Sequence, residues 1–311
     1  MVLEGIPAYP EFRGVNMEDR QSLTRFFEEY PSEVSERTFG SVYIWRQYER
    51  RSELSRIGDS LLISWYREKW GRVMFCPAGP EPAGLIEQLS RDGGTQLAPF
   101  RGVFGIVEPV VSELRKKGLE PISLRDEWDY VYRVDDLVRL EGAKFHSLRK
   151  EMVKATSAYQ LEYAPMTSEH QKACLELEEV WCDLKHCRLD KFSSAEDNAL
   201  REAIANLDAL GFMGGVVLMD GKVQALTVGE RLNNNTAVVH FEKANPEIRG
   251  LYQVINQQFC EKALNGIEFV NREQDVGEPG LRRAKVGYHP HHFVEKHLLK
   301  VGSSLSAARP V

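Results

Sequence analysis

Between His240 and Pro290 the sequence sets acidic, basic and aromatic residues at intervals suited to handling a charged ligand. His240 and Glu242 stand two apart in a run of strand-forming residues. Alternate side chains of a strand share a face, with Cα atoms about 7 Å apart, so the two are expected side by side. Glu242 then reads either as a base or as half of an ion pair with a basic neighbour. Arg249-Gly250 opens a helix pattern, and a helix start offers unpaired N–H groups and a positive dipole end. Arg249, Gly250 and the amides of Tyr252 and Gln253 therefore suit a phosphate-bearing donor. The plainer reading is a strand-to-helix connection with one exposed arginine. Asn271-Arg272-Glu273-Gln274-Asp275 is unusually polar for a strand exit. With His240 and Asn271, Glu273 and Asp275 suit a cationic side chain or an acceptor amine. The alternative is a network with Arg282, Arg283 and Lys285.

The elements that must position these residues follow from periodicity. Asp220-Gly221 predicts a tight hairpin between the apolar runs 216–219 and 223–229. A strand over 236–243 leads to a helix with Leu251, Val254, Ile255, Phe259 and Ala263 on one face. A strand over 267–271 and a short helix starting near Pro279 complete the order. The first half repeats it: helices over 22–30 and 39–48, a hairpin over 54–57 and 61–66, a strand over 72–76, a loop over 78–84 and a helix over 85–89. Phe39, Tyr43, Trp45 and Tyr48 read as a packed face of the second helix. The first-half loop has prolines and Glu81 but no Lys or Arg, so an anionic donor is expected only in the second half. A boundary near 134–142 gives domains 1–140 and 141–311. A helix over 143–155 follows, then a strand over 161–165 and a helix over 172–185. Ser194 and Asp197 suggest a capped start for a helix to Leu210, and 292–299 a final strand.

This order of elements resembles the core of the GNAT acyltransferase fold. The runs 240–250, 271–275, 280–285 and 288–290, with 142–146, resemble the phosphatidylglycerol lysyltransferase C-terminal-like family. The resemblance implies an α/β (α+β) protein of tandem GNAT-like domains, with mixed sheets flanked by helices. It implies acyl or aminoacyl transfer to an amine or hydroxyl acceptor, from an acyl-CoA or an aminoacyl-tRNA as co-substrate, with no tightly bound cofactor. A tRNA acceptor end is then an expected partner. Glu242 becomes the candidate base and Tyr288 the general acid, while a backbone N–H where two strands splay serves the oxyanion. Lys144, His146 and Arg149 become candidates for holding an anionic donor or acceptor, although Ala143 interrupts the family's basic run. Without the resemblance, that stripe with Lys150 and Lys154 is a solvated helix face. A non-catalytic module binding a small ligand or a protein is the alternative function.

At 311 residues, 42% hydrophobic and 28% charged, the composition is that of a soluble globular protein with room for two domains. A net charge of −6 means that polyanions would need a local basic patch. Relatives that modify lipid carry a membrane region; no apolar stretch here is long enough, so a cytoplasmic protein is expected. Five cysteines without an export pattern point to thiols. His289, His291, His292 and His297, or Cys174, Cys182, His186 and Cys187, lack metal-site spacing, so no metal is expected. There is no nucleophile elbow, Walker loop or dinucleotide fingerprint.

Overall fold

The computed structural model describes residues 3–47, 51–67, 71–91, 100–185 and 191–301. The chain forms two units, Met1–Trp128 with Val294–Val311, and Asp129–Phe293. In the first, strands β1 (Arg13–Gly14), β2 (Glu53–Ile57), β3 (Ser60–Arg67), β4 (Gly71–Ala78), β5 (Gly102–Ile106) and β6 (Ile122–Ser123) alternate with helices α1 (Arg20–Glu29), α2 (Phe39–Ile44), α3 (Pro82–Arg91) and α4 (Val110–Lys116). Phe39, Tyr43 and Trp45 are buried, as a core face requires; Tyr48 lies outside the described residues. The strand His297–Lys300 inserts between β5 and β6.

That insertion, and β7 (Asp129–Arg133) pairing in the other sheet, move the boundary from 140/141 to 128/129. The residues from Val294 onward belong to the first unit. Ladder hydrogen bonds decide this, and pairing partners far apart in sequence are not visible in local periodicity.

The second unit continues with α5 (Val134–Arg139), α6 (His146–Ala158), β8 (Leu161–Pro165), α7 (Gln171–Lys185), α8 (Lys191–Ala205), α9 (Leu207–Leu210), β9 (Met213–Met219), β10 (Lys222–Arg231) and β11 (Thr236–Ala244). Then come α10 (Leu251–Ala263), β12 (Phe269–Asn271), α11 (Pro279–Gly287) and β13 (His292–Val294), with β14 (His297–Lys300) in the first sheet. Helix α8 starts at Lys191, ahead of Ser194, so the expected cap is not its start. The sheet order is β13-β7-β12-β11-β10-β9-β8. Asp220 and Gly221 both have positive φ, 51° and 73°, the turn that their sequence called for. Helix α10 packs its apolar stripe on this sheet: Leu251, Val254 and Ile255 meet Val217, Ala225 and Ala244, while Phe259 and Cys260 meet Ala237, Val239 and Tyr132. No helix among the described residues is long and apolar enough to cross a membrane.

Candidate active site at a split between two strands

β11 and β12 run parallel but pair only through Thr236↔Phe269, Ala237↔Val270 and Val238↔Asn271. β12 stops there, and β11 continues to Ala244 without that neighbour. On its other edge β11 carries a bulge: Gly229 pairs with Val239 and Val228 with Phe241, leaving His240 as the extra residue. A Cβ on Gly229 would sit 2.3 Å from the Val238 carbonyl oxygen, so glycine permits the close approach. The bulge breaks the alternation on which His240 and Glu242 were expected to share a face. Glu242 turns toward α10, where its Oε2 accepts from Asn256 Nδ2 at 3.1 Å. His240 meets Glu230 and Glu273 instead.

Arg272, the first residue past β12, reaches back across the split. Its Nη2 donates to Glu242 Oε1 at 2.8 Å, and its guanidinium carbon lies 4.4 Å from the Tyr288 ring centroid and 5.6 Å from that of Tyr132. Burial opposes the Arg272 charge, but the Glu242 carboxylate outweighs it and raises the pKa. Burial raises Tyr288, and the Arg272 charge opposes that rise. Tyr288 therefore stays protonated. Arg272 Nη1 and Tyr288 Oη are both buried, and neither has a hydrogen-bond partner of normal geometry among the described residues.

Both His240 ring nitrogens face carboxylates, Nδ1 to Glu273 at 2.7 Å and Nε2 to Glu230 at 2.9 Å. Burial disfavours its charge, yet the two carboxylates prevail and carry the pKa up to about 9. At neutral pH the ring is an imidazolium with both protons committed.

The polar strand exit is largely an internal network. Asn271 Nδ2 donates to Asp129 and its Oδ1 accepts the Glu273 amide. Asp275 accepts two bonds from Arg282 at 2.7 and 2.8 Å, one from Tyr130 Oη at 2.5 Å and one from the Gly277 amide. Burial alone would raise its pKa; these donors bring it down to about 2. Lys285 Nζ donates to the carbonyls of Arg272, Glu273 and Gln274, and burial beside Arg272 lowers it to about 8. Arg283 is exposed.

The Arg249-Gly250 loop meets α6. Gly250 has φ +92°, and a Cβ there would lie 2.1 Å from the Glu151 carbonyl oxygen. Arg249 is 76% exposed and ion-paired with the Glu151 carboxylate, so its charge is partly matched within the protein. Tyr252 Oη accepts from Trp181 Nε1 at 2.9 Å; Gln253 is half-buried. Trp181 also stacks under Lys243 Nζ, which pairs with Glu196 at 2.9 Å. In the basic stripe, Lys144 pairs with Asp136 and Arg149 Nη1 donates to the Leu140 and Gly142 carbonyls. His146 and Lys150 are exposed. Cys174 and Cys182 are buried, and His186 and Cys187 lie outside the described residues. No cluster among the described residues could hold a metal.

The residues that reading the sequence missed are Arg272, Asn256, Tyr132 and Glu230. Asn256, one polar position on the buried stripe of α10, was a usable signal; the others depend on strand register.

Residues 27–300 match the family described as phosphatidylglycerol lysyltransferase, C-terminal. The chain belongs to this family. As a member of the phosphatidylglycerol lysyltransferase C-terminal family, it is similar to a conserved protein of unknown function from Bacteroides thetaiotaomicron VPI-5482, at 28% identity and TM-score 0.85 over 94% of this chain and 99% of that one. It is also similar to the C-terminal domain of an Agrobacterium fabrum protein named for lysylphosphatidylglycerol synthetase, at 16% identity and TM-score 0.65 over 93% of each chain. The structure of L-PGS from Bacillus licheniformis matches at 12% identity and TM-score 0.64, over 97% of this chain and 95% of that one. No protein of curated function matches. The mixed sheets flanked by helices are the GNAT-like arrangement that the family resemblance implied.

Proposed function

We propose that the second unit transfers an acyl or aminoacyl group to an amine or hydroxyl acceptor at the split between β11 and β12. The observation that carries this reading is the Glu242–Arg272–Tyr288 group at the split, with a buried phenol proton that has no acceptor among the described residues. The acceptor N–H or O–H attacks the acyl carbon, and Glu242 takes the proton. Each carboxylate oxygen already accepts one bond, from Arg272 and Asn256, and keeps a lone pair for this. As the bond from the acyl carbon to the donor oxygen or sulfur breaks, Tyr288 Oη–H gives its proton to the leaving atom.

The names of the relatives favour an aminoacyl donor, and exposed His146 and Lys150 favour a polyanionic one. A tRNA acceptor end is therefore the preferred donor and acyl-CoA the second, each a co-substrate. A steep fall of affinity with salt selects tRNA. A non-catalytic binding module is the second reading, favoured by the internal pairing of Glu242 and Arg249.

Glu242→Gln and Tyr288→Phe should each lower turnover by about 10²–10⁴-fold, with donor affinity kept. Unchanged turnover in both variants, or no donor consumed by the wild type, sinks the transferase reading.

A further inference from the structure

Arg272 has a second hand free. Its Nη2 is committed to Glu242, whereas Nη1, buried beside it, has no acceptor of normal geometry among the described residues and only the Tyr288 phenol oxygen close by. Tyr132 and Tyr288 both lie against the guanidinium, but they differ in one respect. Tyr132 Oη donates to the Lys285 carbonyl at 2.8 Å, and the Tyr288 hydroxyl has no such outlet among the described residues. The other charged or titratable groups around Arg272 do not fill the gap. Lys285 is a donor spent on three carbonyls, and Cys260, from α10, is a buried thiol whose pKa burial pushes up to about 12. If Nη1 leans on the phenol oxygen, the phenol proton and a second Nη1 proton still lack acceptors. A buried donor left unmet is destabilising, so two at one point, one of them on a permanent cation, mark a receptor for an oxygen or sulfur that gains negative charge.

We propose that Arg272 is a catalytic residue whose Nη1 joins Tyr288 Oη in receiving the leaving atom of the acyl donor as its bond to the acyl carbon breaks. This rests on the transferase reading above. The electron pair of the breaking bond goes to the leaving oxygen or sulfur, Tyr288 supplies the proton, and the guanidinium holds the charge until the proton has moved. Lysine would keep the charge but not the planar fork that serves Glu242 and the leaving atom together.

The test is leaving-group dependence. Wild type, Arg272→Gln, Arg272→Lys and Tyr288→Phe are assayed with donors that share one acyl group but carry either an alkyl or a p-nitrophenyl leaving group, after thermal melts establish which variants fold. The alkyl donor needs its charge received; the p-nitrophenyl group departs with little help. Arg272→Gln and Tyr288→Phe should slow the alkyl donor by about 10²–10³-fold and the activated donor by less than about 5-fold, with Arg272→Lys between wild type and Arg272→Gln. Equal losses for both donors overturn the assignment and leave the transferase reading standing. A wild type that turns over neither donor overturns both. Should Arg272→Gln fail to fold, Arg272→Lys and Tyr288→Phe decide by the same ratio.

Discussion

Gly250→Ala separates two roles for the loop before α10. If Gly250 exists to let a phosphate approach, alanine weakens donor binding and leaves stability nearly intact. The structure gives it a packing role: φ is +92°, and an added Cβ meets the Glu151 carbonyl oxygen at 2.1 Å and carbon at 2.8 Å. These are backbone atoms of α6, which cannot swing aside as a side-chain tip would. Holding alanine in the left-handed region costs roughly 1–2 kcal/mol, and forcing the helix away adds about 1–3 kcal/mol. A total near 3 kcal/mol lowers the melting temperature by roughly 6–12 °C in a unit of this size. Gly266→Ala is the control, because Gly266 has φ +80° with nothing within 4 Å of an added Cβ. It carries the backbone cost alone and should lose only about 2–8 °C. Thermal melts followed by circular dichroism read both. Equal losses in the two variants would show that the contact with α6 contributes nothing and would refute the packing argument.

The other predictions concern buried charge. His240 has a folded pKa of about 9 against an ordinary 6.5; its stabilisation is complete below pH 6.5 and is lost as pH rises through 9. Urea melts between pH 6 and pH 10 should show wild type losing on the order of 3 kcal/mol that His240→Asn does not lose; parallel curves for the two proteins count against the imidazolium. In the first unit, Lys296 Nζ donates to Glu36 Oε2 at 2.5 Å with both side chains buried. Lys296→Met should cost about 3–5 kcal/mol, and adding Glu36→Leu should restore most of it; a double variant no better than the single would mean that the charge on Glu36 is not what suffers.

Much of the second unit was legible because its signals are local. Asp220-Gly221 specified its turn chemically, and the stripe from Leu251 to Ala263 gave α10 its ends. The motifs 240–250 and 271–275 located the split, since both flank it. What stayed hidden was whatever depends on register. One inserted residue in β11 turned Glu242 away from His240, and no periodicity count resolves a single bulge. The basic residues at the helix starts looked available to a phosphate because Glu151 and Asp136, their partners, arrive on other elements. Arg272 read as one more charge in a polar run; only β12 stopping at Asn271 aims it at Glu242.

The strand His297–Lys300 has a consequence for biosynthesis. It is an interior strand of the first sheet, bonded on both edges to strands made more than a hundred residues earlier. During translation the contiguous unit Asp129–Phe293 is complete before this strand leaves the ribosome. Until then β5 and β6 lack a neighbour, and their open backbone edges are exposed to wrong partners. The nascent protein therefore closes from the inside out, with the earliest-made sheet finished last.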